Sequence, residues 1–213
     1  MAKILVYNPS THRMEVYYRG LSEPMPYARN LTVGEFKGTS KTDVIWTDKR
    51  AMEAWNKLRT AYGKPINVGY AFSRIWEGKH GAQSQHYAGM AFDMGQRTTA
   101  AERDKIRNIA SSLGVFGYVE PKALTPTWVH VDTRVGPPAC PRGGYPITKQ
   151  GSKGVYVAIL QDALNRLGYN TGTIDGIFGA NTRNAVVNFQ RANGLGADGV
   201  VGCATWTRIT QLI

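Results

Sequence analysis

Two stretches of the chain carry residues that could do chemistry together. Ser84-Gln85-His86-Tyr87-Ala88-Gly89-Met90-Ala91-Phe92-Asp93 sets a histidine and a carboxylate seven residues apart. Gly89 and the small Ala88 and Ala91 between them let the backbone pass close to a neighbour. On a strand, Ala91 and Asp93 share one face, while Met90, Phe92 and Met94 share the other. That is an odd place for a carboxylate unless it faces a polar site. Trp128-Val129-His130-Val131-Asp132-Thr133-Arg134 alternates strictly. Val129, Val131 and Thr133 point one way, and His130, Asp132 and Arg134 the other. Three ionisable groups on one face of an apolar strand are costly to bury without a purpose. A catalytic zinc site takes three nitrogen or oxygen ligands and keeps one position open. His86, Asp93 and His130 are such a set. Either His–Asp pair alone reads as an ordinary structural hydrogen bond; together they favour a metal. His12 reads as a surface residue.

The elements that must position these residues follow from periodicity. Residues 1–20 alternate and suggest a strand hairpin turning at Asn8-Pro9. Ala51, Ala54, Trp55, Leu58 and Ala61 form one helical stripe over residues 46–62, with Asp48 near the start and Gly63 at the end. Residues 65–70, 115–119 and 127–133 read as strands. Ile106, Ile109, Ala110 and Leu113 predict a helix over 101–113, followed by Gly114. The front of the chain is therefore an α+β domain. Residues 135–154 hold four prolines and five glycines, which neither a helix nor a central strand accommodates. They read as a semi-extended linker. Beyond it come three helical patterns: 155–167 ending at Gly168, a second with Ala185, Val186, Phe189 and Ala192 on one face, and a third over 204–212. The expected organisation is a domain over 1–137, a Pro/Gly linker over 138–151, and a small all-α three-helix domain over 152–213.

The joint pattern S-x-H-x-x-G-x-A-x-D followed by W-x-H-x-D resembles the zinc D-Ala-D-Ala carboxypeptidases and their relatives. That group includes phage L-alanyl-D-glutamate endolysins, the vancomycin-resistance D-Ala-D-Ala dipeptidases and the metal-binding domain of hedgehog signals. Leu31-Thr32-Val33-Gly34-Glu35-Phe36 and residues 58–68 are similar to the segments preceding the site, so the likeness spans about 31–134. It implies a hedgehog-like zinc peptidase fold, with Zn²⁺ held by His86, Asp93 and His130. It further implies hydrolysis of an amide bond of the peptidoglycan stem peptide, at D-Ala-D-Ala or a neighbouring bond. Two departures matter. The bacterial pattern G-Y-R is here Gly69-Tyr70-Ala71, and the nearest arginine is Arg74. The position three before the last ligand, often an acid or histidine, is Thr127, which cannot act as a base. The base then falls to Asp132, on the His130 face, or to Glu120; Asp132 is slightly favoured. Its other reading is to orient a ligand histidine or pair with Arg134. Ser84 and Arg74 become candidates for binding the stem-peptide carboxylate or carbonyl oxygen, and His80 for donating to the oxyanion.

Asp175-Gly176-Ile177-Phe178-Gly179-Ala180-Asn181-Thr182 recurs as Asp198-Gly199-Val200-Val201-Gly202-Cys203-Ala204-Thr205. Each copy of D-G-x-x-G-x-x-T predicts a tight turn, an apolar pair tucked into the core and a glycine opening a helix. Together with Leu160-Gln161, residues 164–169, Phe189-Gln190 and Thr205-Trp206, the repeat resembles the three-helix peptidoglycan-binding domain of cell-wall hydrolases. The likeness covers 152–213 and implies a module that concentrates an attached enzyme on murein.

The remaining features bound these readings. The chain has 213 residues, 42% of them hydrophobic, and a net charge of +11. No apolar run approaches the ~20 residues of a membrane span. The positive charge is spread and suits a polyanionic wall. No arginine-rich recognition helix or stacking motif points to nucleic acid. Cys140 and Cys203 fall in different predicted domains and read as free thiols. No signal peptide is apparent. That layout resembles phage endolysins released through holin pores, with a sporulation or prophage-derived host enzyme as the alternative. The expected form is a monomer acting on the bacterial cell wall. The rival reading is a non-catalytic wall-binding protein with a degenerate hedgehog-like zinc site.

Overall fold

The computed structural model describes residues 1–213. The predicted hairpin forms from β1 (Ala2–Asn8) and β2 (Arg13–Arg19), in antiparallel register from Ala2 opposite Arg19 to Asn8 opposite Arg13. A small hairpin of β3 (Pro24–Met25) and β4 (Ala28–Thr32) follows. It leads into α1 (Val33–Lys37), closed at its start by a capping box between Thr32 and Glu35.

The helix expected over 46–62 begins later. Val44-Ile45-Trp46-Thr47 is β-branched and aromatic, and β5 (Val44–Asp48) pairs in parallel with β1. α2 (Lys49–Tyr62) starts only after Asp48, whose carboxylate accepts from the Arg50 amide at 2.9 Å. The first sheet thus runs β2-β1-β5.

The second sheet is built from β6 (Val68–Tyr70), β7 (Ala91–Met94), β8 (Tyr118–Val119) and β9 (Val129–Asp132). Its order is β6-β7-β9-β8, and all pairs are antiparallel. The last two strands are shorter than their sequence patterns. α3 (Ala100–Leu113), capped by Thr99, lies between β7 and β8 in the chain and supplies buried Ile106 and Ala110 to the core. Val129 and Val131 face that core as the alternation predicts.

The C-terminal helices are α4 (Val155–Arg166), α5 (Ala180–Ala192) and α6 (Cys203–Leu212). Gly179 and Gly202 open α5 and α6 as the repeat implied. Only the second residue of each apolar pair is tucked in: Phe178 and Val201 are buried, whereas Ile177 is exposed. Each turn wraps a buried glutamine. The Gln161 amide donates to Asp175 Oδ1, the Ile177 carbonyl and Thr182 Oγ1, and accepts from the Asp175 and Gly176 amides. Gln190 repeats the arrangement with Asp198, Val200, Thr205 and Gly199.

The segment over 138–151, expected as a semi-extended linker, is packed in place: Pro138 bridges Pro146, Thr148 bridges Val201, and Tyr145 is fully buried. One expectation is corrected. Cys140 and Cys203 are not free thiols but a disulfide. The segment folds back onto the start of α6 and brings their Cα atoms to 4.8 Å, inside the bridging range. The result is one apolar core of 45 buried residues running from Ala2 to Ile209.

Candidate metal centre

The histidine loop before β7 is braced from the first sheet. The Trp46 indole donates to the Tyr87 carbonyl at 2.8 Å, and the Thr47 hydroxyl to the Gly89 carbonyl at 2.7 Å. Gly89 has a positive φ of 64°, and a Cβ there would lie 2.0 Å from the Trp46 carbonyl oxygen. The close approach inferred from the small residues is this contact.

Sheet register then assembles the site. Tyr70 is opposite Asp93, and Asp93 is opposite His130. The β8–β9 pairing continues to Glu120, whose amide donates to the His130 carbonyl at 2.9 Å. Cross-strand partners share a face, so Tyr70, Asp93 and His130 form one row across three strands, and Glu120 follows β8 with its backbone beside His130. His86 reaches the row from its loop.

Asp93 sits between the two histidines. Its Oδ1 is 2.7 Å from His130 Nδ1, and its Oδ2 is 3.3 Å from His86 Nε2. The outer nitrogens are otherwise engaged: His86 Nδ1 lies 3.0 Å from the Ala71 carbonyl oxygen, and His130 Nε2 lies 3.4 Å from Asp132 Oδ2. A carbonyl oxygen takes only a proton donor, so His86 carries its hydrogen on Nδ1. Its Nε2 lone pair then faces a carboxylate, and that buried atom makes no hydrogen bond. Two inner nitrogens face the two oxygens of one carboxylate, although the ligand atoms that already lie within 4.8 Å of one another are those of His80, His86 and Asp93, with His130 hydrogen-bonded to Asp93. The set fits zinc, which takes imidazole nitrogen and carboxylate oxygen, with Ala71 and Asp132 as the outer partners that orient the rings.

His80 lies against this group. Its ring stacks on His86 at 4.1 Å and meets Tyr70 edge-on at 4.3 Å. Its Nε2 is buried without a partner. Ligand atoms of His80, His86 and Asp93 all lie within 4.8 Å of one another. Tyr87 anchors the His80 backbone, its hydroxyl accepting from the amide and donating to the carbonyl. Tyr70 and Tyr87 were not singled out from the sequence; their only signal is proximity to Gly69 and His86.

The charge states follow from these contacts. Burial disfavours the Asp93 carboxylate, but the hydrogen bond from His130 and the two neighbouring imidazoles outweigh it and hold the group below the usual carboxylate range. Burial opposes the charged form of His130, yet Asp132 and Asp93 raise it to about 9. Burial, aided by His86, lowers His80 to about 4. Asp132 is fully buried. It accepts from Arg134 through the amide at 3.1 Å, Nε at 2.8 Å and Nη2 at 2.5 Å. Burial raises its pKa, but Arg134 and His130 bring the net shift below normal. A carboxylate so occupied has little capacity left to accept another proton.

The other sequence candidates fall elsewhere. Ser84 Oγ accepts from the His86 amide at 3.3 Å, a local turn contact. Arg74 is buried and turned away from the row. Its Nε donates to Asp162 Oδ2 at 2.6 Å and its Nη2 to Asp162 Oδ1, with Nη1 on Thr42 and the Val44 carbonyl.

The turns and buried glutamines of the helical region coincide with a known family. Residues 153–209 match the family model described as a putative peptidoglycan binding domain. This part of the chain belongs to that family. The chain is 51% identical over 49 residues to the N-acetylmuramoyl-L-alanine amidase CwlM of Mycobacterium tuberculosis, covering 23% of this chain and 12% of that protein. It is 35% identical over 107 residues to a probable N-acetylmuramoyl-L-alanine amidase of Bacillus licheniformis, covering 47% and 30%. It is 48% identical over 67 residues to the zinc D-Ala-D-Ala carboxypeptidase of Streptomyces albus G, covering 30% and 26%. The chain thus spans less than a third of the length of each of these three relatives. No helix is long and apolar enough to cross a membrane.

Proposed function

We propose that the protein is a zinc-dependent peptidoglycan hydrolase that cuts an amide bond of the wall's stem peptide. One observation carries the reading: the unpartnered His86 Nε2 and the His130 Nδ1 face the two oxygens of Asp93. The named relatives act in the same chemical setting, and the peptidoglycan-binding domain supplies the substrate's vicinity. The Cys140–Cys203 disulfide suits an oxidising site of action at the wall.

His86, Asp93 and His130 are the proposed ligands. Zinc held there would supply Lewis acidity and lower the pKa of a bound water toward neutrality. Glu120, whose amide is fixed on the His130 carbonyl, is the proposed base, to take the proton from the attacking water and return it to the leaving amine. Asp132 holds the His130 ring and is itself fixed by Arg134. His80, stacked on His86, donates toward the developing oxyanion. Arg74 and Ser84 carry structural hydrogen bonds in this reading, not substrate.

Mass spectrometry of purified wall digested with and without a chelator tests the proposal. New stem-peptide termini that appear only with zinc are expected. Tight zinc uptake without any cleavage would instead favour the wall-binding alternative, which Thr127 and the occupied Asp132 carboxylate support.

A further inference from the structure

The loop that carries His86 is held from three sides, and one of them is the peptidoglycan-binding region. His86 Nδ1 is oriented by the Ala71 carbonyl. Three residues further on, Arg74 locks onto Asp162 of α4 through two hydrogen bonds, and the Trp76 indole reaches the same carboxylate at 3.2 Å. Both members of the pair are buried, at 8% and 5% side-chain exposure. Asp162 is the only carboxylate on the Arg74 guanidinium, whose Nη1 is held by Thr42 and the Val44 carbonyl, while Glu77 accepts from the Arg74 amide; α4 thus supplies one of the anchors of the 71–76 segment. The neighbours of His86 are tied in the same way. The Tyr156 hydroxyl of α4 donates to Gln85 Oε1 at 2.9 Å, and the Tyr145 hydroxyl donates to the Ser84 carbonyl at 2.8 Å. Thr210 and Ile213, at the end of α6, line a cleft with His80 and Tyr87.

We propose that Asp162 and Tyr156 are positioning residues of the metal centre. They act through Arg74–Ala71 and Gln85 on the orientation of His86. The peptidoglycan-binding region is then part of the scaffold of the reactive site, beyond its part as an anchor. The inference rests on the zinc reading above.

The test measures zinc affinity of the full chain by competition with a chromophoric chelator, together with the visible spectrum of the Co²⁺-loaded protein. Asp162→Asn and Tyr156→Phe should each weaken zinc by up to about 10-fold, the low end of the cost of losing a direct outer partner of a ligand, because each acts one contact further out. Each should also shift the cobalt bands. Gln190→Leu loosens the same region away from this seam; it should lower the melting temperature and leave zinc affinity alone. Near-UV circular dichroism and pull-down on insoluble peptidoglycan check that each variant is folded. If the buried charge change prevents Asp162→Asn from folding, Tyr156→Phe, which removes one hydroxyl, decides. Folded variants with wild-type zinc affinity overturn the inference, as does an equal loss in Gln190→Leu. A wild-type chain that takes up no zinc is a different failure: it removes the metal reading, and this inference with it.

Discussion

His130 has a carboxylate at each ring nitrogen, Asp93 at 2.7 Å and Asp132 at 3.4 Å. The two acids do different work because their surroundings differ. Asp93 shares its oxygens with both histidines, whereas Asp132 is saturated by Arg134. His86→Ala or His130→Ala should therefore lose stoichiometric zinc in metal analysis; a full equivalent retained in both would refute the ligand set. The sequence slightly favoured Asp132 as base over Glu120, because both its position and its charge are visible in the alternation of one strand. Its engagement by Arg134 is not visible there. Glu120→Gln should keep zinc and lower the rate by ~10²–10⁴, the contribution of a positioned base. Asp132→Asn should instead weaken zinc by about 10–100-fold. Steady-state kinetics paired with metal content separates these roles, and the opposite pattern would exchange them.

At the scale of elements, the two Asp-Gly turns are held by Gln161 and Gln190 rather than by side-chain caps on α5 and α6. Leucine at either position fills the space but abandons turn amides that have no other acceptor. Gln161→Leu or Gln190→Leu should each cost about 1–3 kcal/mol, read as a lower urea midpoint. A loss below a few tenths would mean water replaces the amide. The turns and helices were legible because their signals are local: Asp-Gly pairs, opening glycines and periodic apolar residues. The strict alternation over 127–133 likewise gave β9 and the facing of His130. What escaped was pairing. Residues 46–48 of β5 fall within the helix expected from the sequence because the strand's parallel partner, β1, lies 41 residues upstream. The row Tyr70–Asp93–His130 exists only once three strands are in register. Arg74 was offered as a substrate contact because nothing near it in sequence reveals a carboxylate 88 residues away.

At the scale of the molecule, the sequence suggested two units joined by a spacer, and the structure joins them by packing. One core of 45 residues crosses the boundary, the Arg74–Asp162 pair is buried within it, and the disulfide fastens the 138–146 hairpin to α6 over 63 residues. Each feature couples the halves, so unfolding either exposes surface that the other had covered. Urea denaturation should follow one cooperative transition. The tryptophans give a check from both sides: Trp46 and Trp55 lie in the front domain and Trp206 in α6, all buried. Single-tryptophan variants, with the others changed to phenylalanine, should share one midpoint with far-UV circular dichroism. Reducing the disulfide, or replacing both cysteines by serine, should lower that shared midpoint by about 2–4 kcal/mol of stability through the loop released in the unfolded chain, without splitting the curve. Two separated midpoints in the oxidised protein would show that the halves fold independently and that the seam contributes contact without coupling.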